Sequence, residues 1–375
     1  MKILFTNFHR RNGGGHVAYV VNLLKGLSAE HECWVATPKG SRLFQQAAAV
    51  PDVRVIDQQF SSRLGRMWSE VRQLRRLLRS EKFDLVHVNA SADHRHVMLA
   101  SLGLRHRPRI LLTKHNSHRL NTIGHAMRAR WATDGVIAVS AYIRKMLDAS
   151  CYASKPLYTI GHGIDTAFFS PVPADRKIDW SEALLPGLVR DGICVLSSVG
   201  GTDYEKGWLD LVEAVSLFPA DQRDQFRIIV AGDMPGPEKV QKVRQLGMQD
   251  YVVFPGLLED VRPVLEAADI GFVLSHHEAL SFACRESMAM GLPVLVSDAG
   301  GLPENVSHGS NGWIVPCRDP VAIRDVLVNV LEHRAAIVDM GRQARLRAEQ
   351  EFSLQVFSEN TFKAYSQIVS LISKK

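Results

Sequence analysis

Short runs of apolar residues alternate with segments of helical periodicity along almost the whole chain. Apolar runs of this kind between turn residues are typical of strands buried on both faces of a parallel sheet. The pattern predicts an α/β fold in which helices cover parallel sheets, and it disfavours a β-sandwich or a helical bundle. The predicted strands lie at 2–8, 33–38, 53–57, 83–89, 109–115, 135–140 and 157–163, and then at 193–200, 226–233, 251–256, 270–275, 293–298 and 312–316.

The predicted strands form two groups, separated by residues 166–190, where Pro171, Pro173 and Pro186 stand among mixed charges. This composition is typical of an interdomain linker. The length of 375 residues suits two domains of ordinary size. We therefore expect two doubly wound, Rossmann-like domains, at 1–165 and 191–352, facing each other across a cleft.

The composition disfavours several classes of protein. No stretch approaches the roughly 20 apolar residues of a membrane-spanning helix, and "MKILFTNF" runs into a predicted strand without a signal-peptide cleavage site. The five cysteines are widely spaced without a CxxC pair, which favours reduced thiols over disulfides or a metal site. We expect a cytoplasmic protein.

Charge is distributed unevenly along the chain. Residues 1–165 hold 25 Lys and Arg against 11 Asp and Glu, whereas the remaining 210 residues hold 20 against 28. A basic domain can bind nucleic acid, an anionic membrane surface or a phosphorylated substrate. Aromatic residues do not interleave with the basic ones and no nucleic-acid-binding motif occurs, so no nucleic-acid partner is expected.

Two loops have the composition of phosphate sites. The glycines at 13–15 lie between a predicted strand and a predicted helix, where free N–H groups favour an anion, although the same glycines fit a tight turn. Lys206 opens a predicted helix after a glycine pair. A lysine there opposes the helix dipole, which is unfavourable unless an anion lies between them; a solvated surface lysine is the alternative.

Glu278 and Glu286 stand eight positions apart, one after a predicted strand and one in the next predicted helix. On a single helix they would be about 12 Å apart, too far for the carboxylate pair of a retaining glycosidase. From a loop and a helix start, both can face one ligand, and a carboxylate beside a strand end can bind a ribose diol. The structural alternatives are a favourable charge at a helix start and a loop charge.

These motifs together resemble a known family, the retaining nucleotide-sugar glycosyltransferases of family 4, which have the two-domain fold called GT-B. The segment "GGHVAYVVNLLKGL" resembles the family's glycine loop and first helix, and "IGHGIDTAFFSP" resembles its signature at the domain junction. Glu278 and Glu286 fall at the ends of its E-x7-E motif, and "GLPVLVSDAGGLPENV" is similar to the family's segment after that motif. The resemblance covers nearly the whole chain.

The resemblance implies that Glu286 binds the nucleotide ribose, that Glu278 lies close to the donor sugar and that His115 lies beside the transferred sugar. It further implies that Lys206 contacts the donor diphosphate together with the backbone at the glycine loop. The expected catalytic residues are His115 and Glu278, and the expected donor site comprises Gly14, Gly15, Lys206, Gly256, Leu257, Ser281, Phe282 and Glu286. The first domain would bind the acceptor, the second the donor, and a helix at 353–375 would pack back on the first.

Two departures from the family pattern concern the donor. Many members have an arginine five residues before the lysine, where this chain has Gly201, so the bidentate grip of an arginine on phosphate is missing there. The segment "EALSF" replaces the common "EGFGL", which leaves the donor sugar open. The segment "GGTDYEKG" resembles that of lipopolysaccharide-core glucosyltransferases.

A nucleoside diphosphate is a good leaving group, so the protein has mainly to hold it, neutralise its developing charge and exclude water. The resemblance implies transfer with retention of configuration, without a metal or another cofactor. The expected acceptor is a glycan or glycolipid in lipopolysaccharide or other cell-surface polysaccharide biosynthesis. A nucleotide-sugar 2-epimerase of similar architecture and a non-catalytic nucleotide-sugar-binding protein are the alternatives.

The basic first domain is expected to meet the acceptor. Residues 63–82 carry apolar side chains at helical spacing with arginines between them. Such a stripe is typical of a helix that packs on a core, and the basic face could also draw the protein to the inner face of the cytoplasmic membrane or to a phosphorylated glycolipid. The arginines expected to contribute are Arg105, Arg107, Arg109, Arg128 and Arg130.

Overall fold

The computed structural model describes residues 1–10, 14–172, 183–185 and 192–370. The chain forms two compact units, here called unit 1 (Met1–Gly163 with Leu354–Lys375) and unit 2 (Ile164–Ser353). Parts of the expected linker, at 173–182 and 186–190, lie outside the described residues. The domain limits expected from the sequence stay predictions.

Unit 1 contains a seven-stranded parallel sheet in the order β3-β2-β1-β4-β5-β6-β7. Its strands are β1 (Lys2–Thr6), β2 (Glu32–Thr37), β3 (Val53–Asp57), β4 (Leu85–Val88), β5 (Arg109–Lys114), β6 (Gly135–Ala138) and β7 (Leu157–Thr159). The helices are α1 (Gly14–Leu27), α2 (Arg42–Ala48), α3 (Leu64–Glu81), α4 (Ser91–Ser101), α5 (Ile123–Trp131) and α6 (Ala141–Asp148).

Unit 2 contains a six-stranded parallel sheet in the order β10-β9-β8-β11-β12-β13. Its strands are β8 (Cys194–Ser198), β9 (Phe226–Val230), β10 (Val252–Val253), β11 (Ile270–Val273), β12 (Val294–Ser297) and β13 (Gly312–Val315). The helices are α7 (Trp208–Ser216), α8 (Ala220–Arg223), α9 (Pro237–Gln245), α10 (Arg262–Glu266), α11 (Phe282–Ala289), α12 (Pro320–Glu332) and α13 (Arg334–Glu351).

The apolar runs form strands because both faces of each sheet are covered by helices. The strands β4, β6, β8, β11 and β12 are buried along their whole length. Continuous burial of this kind selects unbroken apolar runs rather than alternation. The prediction of two doubly wound α/β sheets is confirmed, and each of the thirteen predicted runs overlaps a described strand.

In each sheet the strand order reverses at one point, between β1 and β4 in unit 1 and between β8 and β11 in unit 2. The loops that leave two such strands diverge to opposite faces of the sheet and leave a crevice at the carboxyl ends. Ligands of open parallel sheets bind at this switch point. Each unit therefore has one position where functional side chains are expected to gather.

The last described helix, α14 (Leu354–Ser370), packs against α1 within unit 1. The ring of Phe357 lies 5.1 Å from that of Tyr19, and the ring of Phe362 stacks on His31 at 4.3 Å. The hydroxyl of Tyr365 lies 2.6 Å from His87 Nδ1 on β4. The end of the chain thus supports the face of the sheet that carries α1.

The amphipathic helix α3 has two parts. Its stripe of Met67, Val71, Leu74 and Leu78 is buried, as a core-packing helix requires. In its first turns, however, Leu64 is 70% exposed and Trp68 is 54% exposed. Two large apolar side chains therefore stand on a basic surface. No helix within the described ranges is long and apolar enough to cross a membrane.

Gly207, between Lys206 and α7, is packed tightly against the end of β11 at the switch point of unit 2. Its backbone is left-handed, with φ of 67°, and a Cβ there would collide with the carbonyl of Leu274. Gly247 has the same φ but no atom near its missing Cβ. Gly247→Ala should cost about 1–2 kcal/mol for the conformation alone. Gly207→Ala should cost roughly 1–3 kcal/mol more, because the end of β11 must move.

The two variants are compared by urea unfolding followed by tryptophan fluorescence. Gly247→Ala is the matched control, since it differs from Gly207→Ala in steric environment and not in backbone conformation. Equal unfolding midpoints for the two variants would show that the end of β11 is not packed against Gly207.

Candidate functional site

Lys206 and Glu278 lie together beyond the carboxyl ends of β8 and β11, at the switch point of unit 2. Lys206 Nζ is 3.2 Å from Glu278 Oε2, and the N–H of Ala279 donates to Oε1 at 3.3 Å. Both side chains are half-buried. The Glu278 carboxylate thus pairs with the Lys206 ammonium group. An anionic ligand would compete with Glu278 for the same ammonium group.

Glu286 lies in the second turn of α11, whose first turn is capped by Ser281. Ser281 Oγ accepts a hydrogen bond from the N–H of Cys284 at 3.2 Å. The neighbouring Arg285 turns away and donates to Asn305 Oδ1 at 2.8 Å. Burial raises the pKa of Glu286 to about 7. Within the described part of the chain its carboxylate makes no hydrogen bond or ion pair, so its oxygens are available to hydroxyl donors.

The other expected donor residues of unit 2 differ in their surroundings. Ser281 is used as the helix cap, and Phe282 packs beside the core under α11. The carbonyl of Gly256 accepts a hydrogen bond from the N–H of Gly232 at 3.0 Å, and Leu257 is 67% exposed. Ser281 and Phe282 therefore position Glu286, while Leu257 presents an apolar side chain to solvent.

His115 follows β5 in unit 1 and is oriented by a residue that the sequence did not single out. Its Nε2 lies 3.0 Å from Asn89 Oδ1, and the ring of Tyr19 meets it edge-on at 4.6 Å. The amide oxygen of Asn89 can only accept, so Nε2 carries the proton and Nδ1 is the acceptor. Burial, and then the neighbouring His16 and His162, lower the pKa of His115 well below its usual value. The ring is neutral.

Asn89 is itself fixed across the switch point of unit 1. Its backbone N–H donates to Asp93 Oδ2 at 2.9 Å, and its Nδ2 donates to the carbonyl of Thr6 at 3.1 Å. Thr6 Oγ1 donates to the same Asp93 oxygen at 2.8 Å. Burial raises the pKa of Asp93 to about 7. The ends of β1, β4 and β5 are thereby joined in one network that sets the His115 ring.

A cavity of about 490 Å³ opens beside this network in unit 1. We call it the histidine cavity; its histidines are His9, His16, His94, His115, His118 and His125. The rings of His16 and His115 are 4.3 Å apart, and burial lowers the pKa of His16 to about 4. Burial also lowers the pKa of Lys114 to about 8. The cavity thus offers the neutral imidazoles of His16 and His115, which can donate to and accept from sugar hydroxyls.

The remaining expected residues of unit 1 are the glycines and the arginines. Gly14 and Gly15 stand exposed at the first turn of α1. Arg107 and Arg109 are paired with Asp134 at 2.9 Å and 3.2 Å. Arg128 is only 7% exposed, whereas Arg105 and Arg130 are exposed. The role of these five arginines in binding the acceptor or a membrane stays a prediction. Of the five, Arg105 and Arg130 are exposed to solvent, whereas the other three are buried or paired with Asp134.

Comparison with known proteins gives the chain its family. Residues 13–168 match the model described as Glycosyltransferase Family 4, and residues 193–333 match the model described as Glycosyl transferases group 1. The chain belongs to glycosyltransferase family 4. This is a family of retaining, nucleotide-sugar-dependent glycosyltransferases, and the resemblance inferred from the motifs is confirmed.

Two curated relatives differ in how much of the chain they match. The GDP-mannose-dependent alpha-(1-6)-phosphatidylinositol monomannoside mannosyltransferase of Mycobacterium tuberculosis is 28% identical over 373 residues, covering 92% of each chain. The N-acetyl-alpha-D-glucosaminyl L-malate synthase of Bacillus anthracis is 30% identical over 129 residues, 34% of this chain and 33% of that protein. The first match therefore runs nearly end to end, whereas the second covers about a third of each protein.

The solved structure of Alr3699/HepE from Anabaena, in complex with UDP, has a TM-score of 0.81 to this chain. It is 19% identical and covers 98% of this chain and 100% of its own. At this identity the likeness shows the fold. The chain has the GT-B fold, with two Rossmann-like sheets.

Lys239 lies next to the loop in which this chain has Gly201 in place of the family's arginine. Gly201, where many family 4 enzymes have an arginine, has φ of 97° and lies against Gly232, whose Cβ would collide with it. Lys239, on α9, donates to the carbonyl of Thr202 at 2.8 Å. An ammonium group thus lies beside the loop that lacks the arginine. Lys239 is distant in sequence from this loop, so no local pattern could have predicted the contact.

The raised pKa of Glu286 predicts a measurable pH dependence. Burial raises its pKa from 4.5 to about 7, so the folded protein holds a proton that the unfolded chain has released between those pH values. The free energy of unfolding of the wild type should fall relative to Glu286→Gln as the pH rises from about 4.5 to about 7. The total change should be of the order of 3 kcal/mol, and it should level off above pH 7.

The measurement is urea unfolding of both proteins across this pH range, with Glu332→Gln as control because Glu332 is an exposed glutamate of the same unit. The control should follow the wild type. A constant difference in the free energy of unfolding between wild type and Glu286→Gln would contradict the raised pKa of Glu286.

Proposed function

We propose that this family 4 enzyme transfers a sugar, with retention, from a nucleoside-diphosphate sugar to a glycan or glycolipid in lipopolysaccharide or other cell-surface polysaccharide biosynthesis. The observation that supports binding of the donor is Glu286, on the helix that follows the Lys206–Glu278 pair. Its carboxylate is half-buried and has no hydrogen-bond or ion-pair partner among the described residues. A carboxylate in this position can accept two hydrogen bonds from a ribose diol.

Lys206 and Glu278 would act in sequence on the donor. A bound diphosphate takes the Lys206 ammonium group, which releases the Glu278 carboxylate toward the sugar. Lys239 supplies a second positive charge beside the Gly201 loop, in place of the arginine that many family members have there. Positive charge at the leaving diphosphate stabilises the transition state, in which negative charge accumulates on the departing oxygen.

The imidazoles of the histidine cavity would bind the acceptor sugar through its hydroxyls. The roles of His115, Gly14 and Gly15 toward the donor stay predictions. The Mycobacterium relative acts, by its name, on a phosphatidylinositol monomannoside and depends on GDP-mannose, which supports a glycolipid acceptor. The "GGTDYEKG" segment supports a lipopolysaccharide pathway.

A panel of nucleotide sugars tests the proposal. One donor should raise the melting temperature of the protein and should release its nucleotide slowly in the absence of acceptor. Glu286→Ala should abolish or strongly reduce both effects, with a loss of roughly tenfold or more in donor affinity, because hydrogen bonds to a charged group are lost. Glu332→Ala should leave both unchanged, since Glu332 lies on an exposed part of α12.

Three other outcomes would contradict the proposal. Binding that ignores Glu286 would show that the donor site is elsewhere. Accumulation of an isomerised nucleotide sugar would favour the epimerase alternative. A donor that binds tightly but is not turned over, with or without candidate acceptors, would favour a non-catalytic binding protein.

We also propose that unit 1 docks on an anionic membrane surface. Leu64 and Trp68 are exposed one helical turn apart at the start of α3, and Arg66 and Arg72 are exposed on the same helix. On α5, Ile123 is 81% exposed, and Arg130 on the same helix is also exposed. Apolar side chains that insert at the headgroup level, flanked by arginines, are typical of proteins that lie on membranes.

Leu64→Ser/Trp68→Ser should reduce binding to vesicles of phosphatidylglycerol by about tenfold or more, because two apolar side chains no longer leave water. The measurement is vesicle sedimentation at low and moderate salt, with Val338→Ser as control. Val338 is 59% exposed on α13 of unit 2. An equal effect of the control, or no binding of the wild type at low salt, would contradict the proposed docking surface.

A further inference from the structure

A second cavity in unit 1, of about 420 Å³, lies between the end of β1 and the start of α3. We call it the arginine pocket, defined by Arg10, Arg63 and Arg66. Its wall also includes Ser61, whose hydroxyl accepts from Arg10 Nη2 at 3.4 Å. None of the expected catalytic or donor residues lines it.

Ion pairing decides how much positive charge the arginines of this pocket present. Within the described residues, Arg10, Arg63 and Arg66 form no ion pair with a carboxylate. The nearby acid, Glu70, is engaged elsewhere: its oxygens accept from Ser61 Oγ at 2.6 Å and from the N–H of Ser61 at 2.7 Å. Its Oε2 also lies 3.1 Å from His96 Nε2. In the part of the chain that the structure describes, the pocket therefore holds three arginines that are not ion-paired with a carboxylate.

Glu70 shapes the pocket rather than neutralising it. Burial alone would raise the pKa of Glu70, but hydrogen bonds from Ser61 and His96 outweigh burial and lower it. The ionised carboxylate holds the Ser61 segment against α3. Arg95 Nη2 holds the other side of this segment through the Ser61 carbonyl at 3.3 Å. The wall that carries the arginines is thus fixed from two directions.

The start of α3 adds to the positive field. The helix has 18 residues, no acidic residue in its first turn and no side chain that caps its N-terminus. Arginines at this end oppose the helix dipole and leave its N–H groups without a side-chain acceptor. An anion in the pocket would satisfy the arginines and the dipole together, and a phosphoryl group matches the fork of a guanidinium best.

The two cavities of unit 1 are neighbours. Phe8 and His9 line both the arginine pocket and the histidine cavity. A molecule whose sugar hydroxyls lie among the histidines can therefore place an attached group among the arginines. Each cavity is large enough for one such group, at about 490 and 420 Å³.

We propose that the arginine pocket binds a phosphoryl group of the acceptor, while the histidine cavity binds the acceptor sugar. This inference rests on the proposed function, because it assumes that unit 1 takes the acceptor. It narrows the acceptor to phosphorylated molecules, whether the phosphate is carried on a glycan or belongs to a lipid headgroup.

The test uses inorganic phosphate and the full-length protein, followed by ³¹P NMR at low salt. All proteins carry Lys206→Ala, which removes the expected diphosphate contact in unit 2. Arg10→Gln/Arg66→Gln should weaken phosphate binding about tenfold or more, because two charge-assisted contacts are lost. The control is Arg76→Gln/Arg79→Gln, which removes two exposed arginines of α3 outside the pocket. The control should bind phosphate as the parent does.

A parent protein that does not bind phosphate, or an equal loss in both double variants, would overturn the inference, since the second result would indicate only the net charge of the surface. Phosphatidylglycerol vesicles distinguish the sources. For this comparison Arg10→Gln is used alone, because Arg66 also belongs to the proposed docking surface. If Arg10→Gln loses vesicle binding, the phosphate is that of a lipid headgroup; if vesicle binding persists, it is carried on a glycan. The donor panel is independent of this test, so a failure of donor binding contradicts the proposed function and leaves the phosphate result standing.

Discussion

The reversal of strand order within each parallel sheet is the constraint on which the candidate sites depend. A strand end at the reversal has a neighbour whose loop leaves toward the opposite face, so an open crevice is unavoidable there. In unit 2 this crevice receives Lys206 and Glu278 from the ends of β8 and β11. In unit 1 it receives Asn89 from β4, which is bonded back to Thr6 at the end of β1. The same topology thus places a different set of functional side chains at the switch point of each unit.

The two crevices differ in how charge is handled. In unit 2, a lysine and a carboxylate are held in contact, and a further carboxylate is kept at a raised pKa by burial. In unit 1, burial keeps the imidazoles of His16 and His115 neutral. The positive charge lies in the neighbouring arginine pocket, whose arginines have no acidic partner among the described residues. The first arrangement suits a ligand with both a diol and a diphosphate; the second suits hydroxyls with an anion attached at a distance.

Much of this organisation could be predicted from the sequence, because parallel strands read as unbroken apolar runs and each of the thirteen was found. The positions of Lys206, Glu278 and Glu286 followed from loops and helix starts next to such runs. Asn89 and Lys239 could not be predicted, since their partners belong to other strands and helices and depend on strand order. Arg128 was expected on a basic surface because of its charge, whereas its position on α5 leaves it only 7% exposed.

The Lys206–Glu278 pair explains how a site can be preformed and still yield to its ligand. Both side chains are partly exposed, at 34% and 21%, so water screens their attraction and the pair contributes only about 1 kcal/mol or less. A diphosphate carries more charge than one carboxylate and makes several charge-assisted hydrogen bonds, so the donor diphosphate proposed for this site would displace Glu278 readily. The weak ion pair holds the Lys206 side chain in place and still lets the ammonium group leave Glu278 for another anion. A fully buried pair would have been costly to separate and would have opposed donor binding.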